Sequence, residues 1–285
     1  MIALPRVMPG RGPLAAGGQV WATIWAELAM QWRRWGLWVA FGVATSLLFL
    51  LTVQTAVYLQ HPPSTSMYVH FSPEDLDNTM IYGGTAYGVM FYSLLAALLV
   101  VDRMGRDQRL GMRELQRATS QGTLGYVLGK YLGNIVAMLV PIFLAYLLCA
   151  LVTILLGWPV ALLSKFLLVF LLVFVPSTLV AMNLALLLAS FLPLRVVQVG
   201  FSLLWFEFNI GPGWHGLVFS IFNPNGAYVY PVLTPVPDMQ SVDPNFHTSA
   251  HLALLNILVL LLSAVLAFFL TWVGLAFQRQ REEGA

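Results

Sequence analysis

Long uninterrupted apolar runs dictate what this chain can become. Five of them, at 36–58, 79–101, 131–156, 161–192 and 252–277, each exceed or reach the length that crosses a bilayer as a helix, about 20 residues for ~30 Å of hydrocarbon. A further run, 196–210, reaches only about 22 Å at ~1.5 Å per residue before Gly211-Pro212-Gly213 breaks it. The apolar piece at 214–222 is too short to cross alone and reads as a re-entrant or interfacial segment of the outer leaflet, leading into a Pro-rich loop at 223–244. Counted in chain order, the expectation is six spans. With 59% hydrophobic and 9% charged residues, no soluble core could hide this much apolar surface. The expected fold class is an all-α polytopic membrane protein, a single transmembrane domain over 20–285.

A Gly- and Pro-rich polar lead, 1–19, precedes the first apolar stretch, and no cleavable leader is expected there. Over 20–35, Trp21, Ile24, Trp25, Leu28, Trp32 and Trp35 recur at helical spacing, with Thr23, Glu27, Gln31 and Arg34 on the other face. Tryptophans on one side and charges on the other suit a helix lying in the headgroup plane, with a bend at Gly36 before the first span. Six spans with an inner N-terminus put thirteen of the 14 basic residues on the cytoplasmic side, as inner flanks require. The exception, Lys165, is expected to snorkel at the outer surface. Both termini are therefore expected inside, in the plasma membrane.

Polar residues within apolar runs are functional candidates by default, because charge in hydrocarbon is costly. Glu207 and Asn209 either line a cavity that accepts a substrate's polar group or cap the broken helix at the Gly-Pro-Gly turn. Gly125, Gly129 and Gly133 recur every fourth residue and let a neighbouring helix approach closely. Pro176 removes one backbone hydrogen bond midway along the fourth span and is expected to kink it, a feature of moving and of static helices alike. No phosphate-binding G-x-x-x-x-G-K-[ST] loop occurs, H-T-S-A-H at 247–251 lacks the glutamate of a zinc hydrolase, and no G-x-S-x-G elbow appears. The chain is expected to bind no metal or cofactor and to catalyse nothing itself. A net charge of +2 gives no reason to expect nucleic acid, and the lone Cys149 cannot form a disulfide within the chain.

The segment 102–130 is the charged exception, with nine Asp, Glu, Lys and Arg residues between two apolar runs. Placed on a helix, Arg106, Arg109, Arg113 and Arg117 form one basic stripe, while Met112, Leu115 and Thr119 gather opposite. Two faces imply two neighbours. The arginines either hold anionic headgroups of membrane lipids or surround a groove of a soluble partner that receives the apolar face.

Gly111, Glu114-Leu115, Thr119-Ser120 and Tyr126-Val127-Leu128-Gly129-Lys130, in that order after the second span, resemble the permease subunits of type-2 ABC exporters. That family carries a segment like G-T-x-E-L-L-x-x-T-P-x-S-R-x-x-Y-L-L-G-K there; Met112 replaces its Thr and Ser120 its Pro. The resemblance implies pairing with a second or related permease copy and docking of two separate ABC ATPase subunits, which would hold ATP and magnesium. It makes Arg106, Arg109, Met112, Arg113, Glu114, Leu115, Arg117 and Thr119 the coupling helix against that ATPase. The implied activity is ATP-driven export of a drug-like, peptide or lipid substrate. The rival reading is a nontransporting membrane scaffold or sensor that binds a cytoplasmic partner through the same loop.

Overall fold

A computed structural model describes residues 13–62, 66, 68, 71–109, 123–210, 220–235 and 249–283. Every regular element among them is helical. The chain forms α1 (Pro13–Trp32), α2 (Trp35–Gln60), α3 (Pro73–Arg109), α4 (Thr123–Leu155), α5 (Leu162–Val169), a π-helical turn (Phe170–Phe174), α6 (Val175–Phe191), α7 (Leu194–Ile210), α8 (Tyr230–Leu233) and α9 (Ala250–Glu283). Five stretches are long and apolar enough to cross a membrane: Trp35–Gln60, Pro73–Arg103, Leu124–Leu155, Leu162–Phe191 and Ala250–Leu275. They match the five long runs expected from the sequence, so the chain is a multi-pass helical membrane protein.

The bundle is built around α3, whose apolar window is 72% buried against 22% for α2 and 28% for α9. Small residues and hydroxyls explain its central position. Gly84 approaches Thr52 and Gly88 approaches Leu48 of α2, while Ser93 bonds Ser177 and Thr178 of α6 at 3.0 and 3.2 Å. Interhelical hydroxyl pairs satisfy polar groups where no water competes. A core of Phe41, Met80, Tyr92, Ile142, Tyr146 and Phe174 joins α2, α3, α4 and the π turn. On the far side of α3, α7 packs through Val197, Phe201 and Trp205, and α9 lies on α6 through Leu260 and Ala264.

Two local expectations change. The first bend falls at Arg33 and Arg34 and not at Gly36: Arg34 is extended (φ −85°, ψ 113°) and Trp35 already starts α2. The loop expected at 223–244 is, over its described part to 235, packed into the bundle as a plug. Tyr230 is fully buried, its hydroxyl lies 2.6 Å from Thr85 Oγ1, and Asn256 on α9 donates to the carbonyls of Ile221 and Asn223 at 2.6 and 3.1 Å. Lys165 Nζ donates to Asn78 Oδ1 at 2.7 Å, and Asn78 Nδ2 donates to Pro235 O at 3.1 Å.

Candidate functional site

The polar face of α1 is the starting point, because the structure turns it inward. Trp21, Trp25 and Trp35 are 66%, 62% and 82% exposed, whereas Glu27 and Gln31 are 4% and 0% exposed. The reason lies on α4. A Cβ on Gly129 would stand 2.8 Å from Thr23 Cβ, and one on Gly133 would stand 2.7 Å from both Glu27 Cβ and Ile24 O. Only glycines let the α1 backbone come this close. The neighbour expected at Gly129 and Gly133 is therefore α1; Gly125 lies one turn earlier on the same helix and is partly buried.

This contact drops Glu27 between two cations. Arg103 Nε on α3 donates to Glu27 Oε2 at 3.3 Å and Arg103 Nη2 lies 3.5 Å from Oε1, while Lys130 Nζ on α4 stands 3.9 Å from Oε1. One turn further, Gln31 Nε2 donates to Asn134 Oδ1 at 2.5 Å, and Asn134 Nδ2 donates to Lys130 O at 2.7 Å. Arg34 completes the lattice, with Nη1 donating to Gln31 Oε1 at 2.8 Å and Nη2 to Asp102 Oδ2 at 2.5 Å. Seven side chains thus join the junction before α2 and helices α1, α3 and α4. Two carboxylates face three cations, in a setting where an unmatched charge is costly.

The lattice brackets the 110–122 segment. Asp102 and Arg103 sit near the end of α3, and Lys130 sits on the second turn of α4. The helices that lead into and out of it are consequently joined to α1 and to the junction before α2. Chemically this is a clamp. Both Glu27 oxygens are engaged by cations, and among the described residues no three His, Cys, Asp or Glu side chains could hold a metal. Of the eight expected partner-docking residues, Arg106 and Arg109 lie on the final turns of α3. Met112, Arg113, Glu114, Leu115, Arg117 and Thr119 lie outside the described residues, as does 214–219 of the expected re-entrant piece.

Glu207 and Asn209 do not share a face. Asn209 is buried and its Nδ2 donates back to Trp205 O at 2.7 Å. Glu207 is half-buried and falls on the line of Val196, Val199 and Leu203, which are 54%, 62% and 67% exposed. Near Pro176 the helix departs from α geometry in the π turn Phe170–Phe174. Pro176 is the second residue of α6 and has no N–H to continue the α ladder upstream, which accounts for the wider turn.

The clamp was only half visible in the sequence. Glu27, Gln31 and Arg34 stood out as a polar stripe and Arg103 and Lys130 as inner-side cations, yet nothing in their spacing paired them across 70 to 100 residues. The glycines at 129 and 133 are the signal that could have done so. No family model matches the chain, and no curated protein matches it.

Proposed function

We propose that the chain is the permease subunit of an ATP-driven exporter in the plasma membrane, with six crossings, both termini cytoplasmic and a re-entrant piece at 214–222. A separate soluble ABC ATPase, two copies per pair of permeases, would dock on 102–130. The observation that carries this reading is the seat of α1 on Gly129-Lys130. These two residues close the stretch that resembles the exporter permeases, and here they meet α1 through a close glycine contact and the Glu27 ion pair. A docking segment whose two ends are clamped can pass on a push from its partner, because packed elements shift between discrete arrangements and do not deform continuously. The missing phosphate loop supports the same division of labour.

The test is affinity purification of the full chain from its own membranes in mild detergent, followed by identification of what accompanies it. The expected companion is a soluble ATPase bearing a phosphate loop, lost when Arg113→Glu and Leu115→Asp are combined. A chain recovered with a signalling protein and no ATPase would favour the scaffold or sensor reading.

A further inference from the structure

Trp205 Nε1 donates to Met90 O at 3.0 Å, and the rings of Phe206 and Phe91 meet edge to face at 6.1 Å. These contacts fix the depth of α7 against α3. On α3, Met90 is twelve residues from Asp102 and thirteen from Asp77, hence about 18 Å from one charged end and about 20 Å from the other. Glu207, adjacent to Phe206, therefore stands near the middle of the membrane. It stands there on a bare face: Val196, Val199 and Leu203 precede it at helical spacing and are 54%, 62% and 67% exposed, and beside them Gly200 has nothing within 4 Å of an added Cβ. The buried face of α7, through Trp205, is the opposite one.

A carboxylate at this depth needs a counter-charge. Neither lysine nor arginine lies at this level. No lysine or arginine occurs between Arg34 and Arg103, between Lys130 and Lys165, or between Arg195 and Arg279, and Arg103, Lys130 and Lys165 are engaged with Glu27 and Asn78 at the ends of their helices. A second copy would bring no cation to this level either. A cation that is itself soluble in the membrane supplies that counter-charge; without one the carboxyl takes up a proton.

We propose that Glu207 is the anionic contact of a binding site for lipophilic organic cations, open on the Val199–Leu203 face of α7. Apolar side chains take up the body of the cation, and Phe206 supplies an aromatic face beside the carboxylate. The inference rests on the permease reading in naming the class of cargo.

The probe is tetraphenylphosphonium, titrated against the full chain in nanodiscs of phosphatidylcholine. Saturable binding is expected, weakened at least tenfold by Glu207→Gln, retained by Glu207→Asp, and absent for tetraphenylborate. On the unsubstituted chain, the same cation is expected to slow labelling of Glu207 by dicyclohexylcarbodiimide, a readout independent of any variant's folding. No saturable binding, equal binding to Glu207→Gln, or labelling indifferent to the cation would overturn the site and leave a protonated, structural Glu207. ATPase copurification is read separately: if it holds while cation binding fails, the site alone is lost, and the converse result removes the transport reading alone.

Discussion

The indole N–H of Trp205 bonds the backbone carbonyl of Met90 at 3.0 Å, so a helix of only 17 residues is held in register against the centre of α3. Trp205 is 4% exposed, and its donor has no water to fall back on. Trp205→Phe keeps the ring and removes the bond. The expected loss is about 0.5–1.5 kcal/mol, read as a lower unfolding midpoint in mixed detergent, with the tetraphenylphosphonium affinity reduced because Glu207 loses its depth reference.

Glu27 is the keystone of the clamp. Glu27→Ala leaves Arg103 and Lys130 without their carboxylate in a buried setting, a change that costs about 3–5 kcal/mol when one member of a buried pair is removed. Combining Glu27→Leu with Arg103→Leu and Lys130→Leu is expected to recover most of that stability, since the desolvation cost disappears with the charges. Thermal unfolding of the variants checks both. Recovery of stability without recovery of ATP-coupled transport would separate the clamp's two roles.

Gly133→Ala opposes helix propensity against space. Alanine favours the helical backbone by up to about 1 kcal/mol, but its Cβ would lie 2.7 Å from Ile24 O and Glu27 Cβ, and a backbone carbonyl cannot yield. Net destabilisation and faster proteolysis at the α1–α2 junction are expected. Gly42→Ala is the control: with nothing within 4 Å, it is expected to be neutral or slightly stabilising.

Besides the Asn256 and Asn78 bonds, the plug at 220–235 is held by a hydroxyl pair and a tightly packed glycine. Tyr230→Phe removes the contact to Thr85, whose Oγ1 still donates to Ile81 O at 2.7 Å, and should cost about 0.5–1.5 kcal/mol. Gly226→Ala should cost more, because its φ of +79° suits glycine and its Cβ would lie 2.6 Å from Val173 Cγ1. Protease access to residues 220–235 in outside-facing vesicles reports both.

What was legible in the sequence followed from length. Apolar runs such as 131–156 and 252–277 can only be helices in hydrocarbon, and the structure places helices there. Facing was not legible. Trp21 and Trp25 alternate with Thr23 and Glu27 in the same way whether the polar stripe meets water or protein, and only the glycines of α4 decide that it meets Lys130 and Asn134. The partner of Lys165 was not legible either, since Asn78 is 87 residues away. For Glu207, the sequence left open whether it acts together with Asn209; the packing of Trp205 on Met90 turns Asn209 inward and leaves Glu207 on the exposed side of α7. Long-range pairings of single polar residues leave no periodic trace, so they are read from packing alone.

The central claim is that this bundle is driven by another chain's ATPase through 102–130. The most direct measurement is ATP hydrolysis by the full chain purified from its own membranes. Vanadate-sensitive hydrolysis that co-elutes with the unsubstituted chain, and disappears with Arg113→Glu and Leu115→Asp while the chain's yield and melting are unchanged, is the expected result. A pure, folded preparation with no such activity, or activity indifferent to both substitutions, would contradict it.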